Sequence, residues 1–321
     1  MTGLKRIAIA GLVLAATGAA GFWCWSGAYG VNVLTRNGGT YWTEMAPDDT
    51  RLPPAMRLAL REPAPTAVPG PLVWHQGAPG FEVADLAVMV GGRQVDTLLL
   101  NRIDPARYRF VVRSAPRGDK GLDEWERDLP LAALIVNGSY FDVAGRPDTP
   151  FVSEGVAMGP RHYDAHAGAF VAGDGTADVR DLSKENWRHA FAGARNAMVS
   201  YPLLIGEDGQ SHVAVKSRWL ANRSFVGRDA KGRIIIGSTR EAFFPLDRLA
   251  AFLRVAPLGL KVALNLDGGP VACQSVRLPR FKRKLYARWE AQVSGDKVTL
   301  LRWPRTSTNV AMPIVLTVEP R

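Results

Sequence analysis

Residues 262–270, VALNLDGGP, constrain this chain more than any other segment. A run of apolar residues delivers one carboxylate, Asp267, into two consecutive glycines, Gly268 and Gly269. An apolar run bounded by turn residues is the pattern of a core strand, and paired glycines permit positive φ and close approach of another group to the backbone. Asp267 is therefore expected at a strand end. Two readings of it stay open at the level of local pattern: a carboxylate presented for chemistry, or an Asp-Gly turn whose carboxylate bonds only its own backbone.

A second segment, residues 134–142, LIVNGSYFD, is built the same way, an apolar strand running into a polar loop led by Asn137. Around these two lie Arg102-Ile103-Asp104-Pro105 and Arg223-Ser224-Phe225-Val226-Gly227. After the arginine block come an expected hairpin turn over 229–233, a strand over 234–238, a helix over 245–253 feeding the Asp267 strand, and a closing strand near 312–318. In this order the segments resemble the phosphodiester glycosidase family, whose members carry an NGGYF-like motif, an arginine-glycine block and a terminal LDGG motif. The resemblance covers roughly residues 74–319. Two departures stand out: Ser139 replaces the second glycine of NGGYF, and Pro270-Val271-Ala272-Cys273-Gln274 stand where the family has a small residue and serines.

The resemblance implies a substrate with a sugar joined through a phosphodiester. Such a substrate needs cationic or amide groups for phosphate oxygens, an acid or base for proton transfer, and polar groups for sugar hydroxyls. Arg223 is the expected phosphate ligand, because a planar guanidinium can make two parallel hydrogen bonds, and Gly268 and Gly269 are expected to add backbone amides. Asp267 is the expected general acid or base. Glu154, in the loop 150–155 just after NGSYF, is the expected second carboxylate, with capping of a turn as its other reading. Paired glycosidase carboxylates stand roughly 5–5.5 Å apart for retention and 6.5–9.5 Å for inversion. Asn137 is expected to touch substrate or to brace the Asp267 loop. His162, in the cluster 162–166, is a further substrate contact. His162 and His166 could share a metal only on a helix, and the flanking Gly159, Pro160 and Gly168 indicate a loop, so no metal or cofactor is expected.

Strand-like segments outnumber helical ones, which are confined to 122–129, 184–191 and 246–255 with a short piece near 55–61. The expected class is α+β: a central mixed sheet, a few helices on its outer side and functional loops at strand ends. At 321 residues and 47% apolar, the chain can bury one large core. Lys5-Arg6 precede an apolar run from Ile7 to Trp25, close to the ~20 residues that cross a bilayer. This reads as an uncleaved anchor in the inner membrane, single-pass, with the catalytic body facing the periplasm or the cell exterior. Cleavage near Ser26-Gly27-Ala28, giving a secreted protein, is the alternative. The expected division is 1–28 membrane segment, 29–73 proline-rich stalk and N-terminal embellishment, and 74–321 phosphodiester glycosidase-like domain. The two cysteines, Cys24 and Cys273, leave the outward-facing body without a disulfide.

Net charge is +10, with Arg277, Arg280, Lys282, Arg283, Lys284 and Arg288 in one short stretch. Such a stretch is either a solvated face or a surface that gathers anionic polymer. Nucleic acid is a poor partner for an exported protein, and no zinc-binding spacing or RNA-binding signature occurs. The sequence thus points to an exported hydrolase cleaving a sugar-1-phosphodiester in a glycan or envelope polymer. The competing reading is a non-catalytic envelope protein that binds anionic glycan through the same pocket and the basic patch.

Overall fold

Alternation along the longest strands divides the apolar residues between two cores. On the strand Arg93–Ile103, Leu98 and Leu100 enter one core while Leu99 and Ile103 enter another. The strand Ile234–Thr239 repeats this, with Ile235 on one side and Ile234 and Ile236 on the other. A sheet buried on both faces needs side chains that suit an apolar surface above and below, and these strands accordingly carry the consecutive apolar runs Leu98-Leu99-Leu100 and Ile234-Ile235-Ile236.

The computed structural model describes residues 11–22, 41–115, 120–163, 167–214, 219–302 and 310–321. The largest sheet has eight strands. Its path runs Leu203–Ile205, Leu260–Asn265, Ser224–Asp229, Ile234–Thr239, Arg93–Ile103, Phe81–Val90 and Val68–Pro69, with His75–Ala78 paired alongside Phe81–Val90. A five-stranded sheet runs Phe281–Leu285, Gln274–Leu278, Leu134–Asn137, Ile314–Pro320 and Tyr108–Ser114. A second five-stranded sheet runs Thr176–Asp181, Gly168–Gly173, Asn196–Ser200, Phe151–Ser153 and Val156–Met158. The last, of four strands, joins Tyr41–Met45, Lys297–Arg302, Glu290–Ser294 and Trp219–Ala221.

One core lies between the inner face of the large sheet and both five-stranded sheets, filled by Phe81, Phe110, Phe151 and Phe170 among others. The other lies under the helix Leu246–Val255, whose Leu249, Phe252 and Leu253 pack on the opposite face of the large sheet. The expected turn at 229–233 is present. Asp229 accepts from the backbone N–H of Lys231 and Arg233 at 2.8 and 2.9 Å and from Arg233 Nε at 2.7 Å.

Two expectations are corrected here. The sheet is not mixed: every described pairing is antiparallel. Parallel neighbours need a crossover of a dozen residues or more, usually a helix, and this chain spends its residues on strands instead. The segment 41–73 is embellishment packed on the body rather than stalk. Tyr41–Met45 pairs with Lys297–Arg302, and Met45, Leu52, Met56 and Ala59 are buried in the helix-side core.

Of the apolar N-terminal run, residues 11–22 are helical and exposed, with Leu12, Val13, Leu14 and Phe22 open to solvent. Among the described residues no helix is long and apolar enough to cross a membrane, so the described structure gives the anchor no support. Lys5, Arg6, Cys24 and Ser26-Gly27-Ala28 lie outside the described residues.

If residues 41–73 are core, then Met56→Ala, at a fully buried position, should cost about 2–5 kcal/mol in denaturant unfolding. A change within about 0.5 kcal/mol, typical of an exposed surface site, would return the segment to the status of a stalk.

Candidate functional site

The ends of two strands from different sheets meet at the site. The Leu134–Asn137 strand is central in its sheet and fully buried, so Asn137 emerges at a fixed point, 1% exposed. The Leu260–Asn265 strand ends two residues before Asp267. Asn137 Nδ2 donates to the Asp267 carbonyl at 2.7 Å, and the Asp267 N–H donates to the Gly138 carbonyl at 3.0 Å. Asn137 thus braces the Asp267 loop, while its Oδ1 is buried without a partner. Because Asn137 and Asn222 are both buried, the two N-x-S sequences containing them are closed to glycosylation.

The Asp267 carboxyl accepts through Oδ1 from the Gly268 N–H at 2.8 Å; no described group donates to Oδ2. Burial pushes its pKa up to about 7. The Gly268 bond opposes that rise, the negative charges of Glu290 and Asp148 add to it, and Arg223 draws it down.

Arg223 is 5% exposed. Its backbone N–H donates to Thr239 Oγ1 at 2.9 Å, its Nε to the Phe244 carbonyl at 3.3 Å and its Nη2 to the Trp219 carbonyl. Burial lowers its pKa, and the charges of Tyr140, Glu290, Asp267 and Asp247 oppose that.

The glycines of the motif serve a purpose different from the one expected. The Gly268 N–H bonds Asp267, and the Gly269 N–H donates to the Asn222 carbonyl at 2.9 Å, so both amides are already engaged within the protein. What each glycine supplies is space. A Cβ on Gly268 would lie 3.1 Å from Arg223 Nη1. A Cβ on Gly269 would lie 2.4 Å from Glu290 Oε2, and Gly269 also has φ +70°, which disfavours any other residue.

Glu290 heads the strand Glu290–Ser294 and comes from a different sheet. The Trp219 indole donates to its Oε1 at 2.7 Å. Burial raises its pKa, against the indole bond and the Arg223 charge. Asn222 fixes this corner: Nδ2 reaches the Thr239 and Arg240 carbonyls at 3.1 and 2.8 Å, and Oδ1 accepts from the Arg288 and Trp289 N–H groups at 3.0 and 2.9 Å.

Two tyrosines lie beside the site. Tyr201 stacks on Tyr140 with ring centroids 4.2 Å apart and planes at 15°. Asn265 Nδ2 holds the pair, donating to the Tyr140 hydroxyl at 2.8 Å and the Tyr201 carbonyl at 3.1 Å. Tyr201 is 37% exposed, so one edge of the stack reaches solvent. Burial raises the Tyr140 phenol, with the Asp267 charge adding to it, and burial pushes Tyr163 up to about 12, where Tyr201 and Asp148 add to the rise.

Of the residues expected from sequence, Asn137, Arg223, Asp267, Gly268 and Gly269 meet in one place. His162 is exposed on the loop beside Tyr163, and His166 lies outside the described residues. Glu154 is elsewhere. It sits in the tight hairpin between Phe151–Ser153 and Val156–Met158 at φ +50°, accepting from Asn196 Nδ2 at 2.8 Å and from Arg109 Nη1 at 3.2 Å. Asn196 begins the strand whose far end leads to Tyr201 at the site. Five residue steps of extended chain put about 16 Å between those ends, beyond the span of a carboxylate pair. Glu154 is near the motif in sequence because its strand starts at the site, and it leaves along that strand.

The residues after LDGG are core. Val271, Ala272 and Cys273 pack with Ile135 and Ala287. The Cys273 thiol donates to the Pro270 carbonyl and accepts from the Ala287 N–H, each at 3.3 Å, and burial pushes it up to about 11. Among the described residues no group of three or more His, Cys, Asp or Glu could hold a metal ion.

Residues 131–277 match the family model described as phosphodiester glycosidase. Over that span the chain resembles the family. The matched span contains Asn137, Arg223 and Asp267 but ends before Glu290. The zebrafish N-acetylglucosamine-1-phosphodiester alpha-N-acetylglucosaminidase catalytic domain, auto-inhibited by its pro-peptide, has a similar fold at TM-score 0.50 and 15% identity, with 90% of this chain and 91% of that one covered. A hypothetical protein from Synechocystis aligns at TM-score 0.48 and 15% identity over 78% of this chain and 64% of that one. No curated protein is similar enough to match.

A carboxyl titrating near 7 in the native state and near 4 when unfolded binds more protons folded than unfolded between those values. Stability is therefore greatest below about pH 4 from this group and declines as pH rises to about 7. Asp267→Asn removes that dependence, so the Tm of the variant minus that of the parent should grow between pH 4.5 and pH 8 in calorimetry. A difference that stays flat with pH would mean that Asp267 titrates as an exposed carboxylate.

Proposed function

We propose that this protein is a hydrolase that cleaves sugar-1-phosphodiesters between the anomeric carbon and the phosphate oxygen, with Asp267 as general acid. The observation that carries the reading is a carboxyl held at about 7 beside a buried guanidinium, in a loop that matches the phosphodiester glycosidase motif. The departing phosphate monoester has a second pKa of about 6. An acid near 7 is matched to it, because proton transfer is most effective when donor and acceptor pKa values lie close together and near the working pH. Arg223 supplies positive charge where the phosphate gathers negative charge, from a position that binding does not need to reorganise. The exposed edge of Tyr201 offers an apolar face to a pyranose ring while the phenols address its hydroxyls.

The apolar N-terminal run favours export, and a glycan or envelope polymer is the substrate class that an exported enzyme of this chemistry would meet. The rival reading, a non-catalytic binder of anionic glycan, draws on the basic stretch, of which Arg280, Lys282 and Arg288 are exposed and the other three are engaged within the protein. Arg283 pairs with Asp85, Lys284 pairs with Asp123 and Glu126, and Arg277 donates to the Glu126 and Leu129 carbonyls.

The test is release of reducing sugar from a panel of sugar-1-phosphodiesters. A general acid must be protonated, so kcat/KM should fall tenfold per pH unit above about 7. Asp267→Asn should lower it by about 10²- to 10⁴-fold without unfolding the protein. A rate independent of pH between 6 and 9, or an active Asp267→Asn variant, would remove Asp267 from the acid role.

Tyr201→Ala should raise KM about fivefold with little change in kcat, the loss expected for one aromatic contact of about 1 kcal/mol. An unchanged KM would show that the sugar does not use this face.

A further inference from the structure

Glu290 is a carboxylate that reaches the motif loop from another sheet. Its side chain lies against Gly269 so closely that a methyl group there would meet Oε2 at 2.4 Å and the carboxyl carbon at 2.9 Å. Its two oxygens are in different situations: Oε1 is fixed by the Trp219 indole, whereas no described group donates to Oε2. Asp267 shows the same division, with Oδ1 fixed by the Gly268 N–H and Oδ2 unbonded. Arg223 stands between the two in its effects. It draws the pKa of both carboxyls down and reaches the Glu290 corner through its bond to the Trp219 carbonyl. Two carboxyls, each held by one oxygen with the other free, share a buried cation.

We propose that Glu290 is a catalytic residue of this site, the base that accepts a proton from the attacking water while Asp267 protonates the departing phosphate. This rests on the reading of the site given above. The water oxygen bonds to C1, and the bond from C1 to the phosphate oxygen breaks with its electron pair leaving on that oxygen. Asp267 gives its proton to the phosphate oxygen, and Glu290 takes the proton that the water loses. The products are a free sugar inverted at C1 and a phosphomonoester, and the proton on Glu290 returns to Asp267 through solvent. Glu290 acts as a base rather than a nucleophile because a side chain pinned by an indole and laid flat on the main chain can accept a proton without moving. Covalent attack would require it to advance onto C1.

The experiment follows the anomer formed by wild-type protein by NMR at early times and compares Glu290→Gln, Glu290→Asp, Trp219→Phe and Glu154→Gln across pH. Inverted product is expected. Glu290→Gln should lose about 10²- to 10⁴-fold in kcat/KM with its acidic limb abolished, and added azide should restore turnover as the inverted glycosyl azide. Glu290→Asp should keep partial activity. Trp219→Phe, which removes the donor that favours the ionised form, should move the acidic limb to higher pH. Glu154→Gln should turn over like wild type. Retention at C1, a Glu290→Gln variant at the wild-type rate, or an acidic limb unmoved in Trp219→Phe overturns the base role while leaving the phosphodiester glycosidase reading intact. A wild-type protein inactive on every sugar-1-phosphodiester tested overturns both.

Discussion

Everything at the site depends on two hydrogen bonds that join strand ends from different sheets: Asn137 Nδ2 to the Asp267 carbonyl and the Asp267 N–H back to the Gly138 carbonyl. The strands behind them, Leu134–Asn137 and Leu260–Asn265, are locked by neighbours on both sides and by the same core, so neither end can drift. A side-chain amide is suited to this task because it donates to a carbonyl in a dry interior without bringing charge. Its remaining oxygen, buried and unbonded, costs free energy that an optimised structural residue would not carry.

Charge burial is the second constraint. Arg223 is almost wholly enclosed, yet its guanidinium donates to carbonyl oxygens rather than to a carboxylate. Removing a guanidinium from water is expensive unless opposite charge or several acceptors replace the lost hydration. A direct ion pair with Asp267 would meet that need and would also hold the carboxyl ionised well below neutral pH. Held by carbonyls, the arginine instead acts on Asp267 as a field, weaker than burial. The carboxyl therefore stays near 7, able to hold or release a proton under ordinary conditions.

Much of this was legible in the sequence, and the reasons for the rest are physical. Strands buried on both faces appear as apolar runs, so 234–238 and 262–266 could be read directly, as could the Asp229 turn and the helix feeding the LDGG strand. The same runs concealed strand direction, since a two-faced burial pattern is common to parallel and antiparallel sheets. Asn137, Arg223 and Asp267 carry motif patterns and converge in space. Glu154 was drawn in by nearness along the chain, which means little when an extended strand advances over 3 Å per residue. Glu290 and Asn222 gave no local signal. Glu290 begins an ordinary alternating strand, and only pairing with Trp219–Ala221 brings it to the motif.

The departures from the family pattern fit the same picture. Where relatives have serines after LDGG, this chain has Val271, Ala272 and Cys273 packed into a satellite core, so in this protein the segment is packing rather than pocket. Ser139 is 1% exposed with its hydroxyl unbonded, close in sequence to Asn137. The two motif glycines remain because side chains arrive over them, Arg223 over Gly268 and Glu290 over Gly269. A loop this short can present one carboxylate of its own. Leaving two consecutive positions without Cβ lets it receive a cation and a second carboxylate from elsewhere in the fold, and that requirement accounts for the glycines more fully than their backbone amides, both of which are already bonded inside the protein.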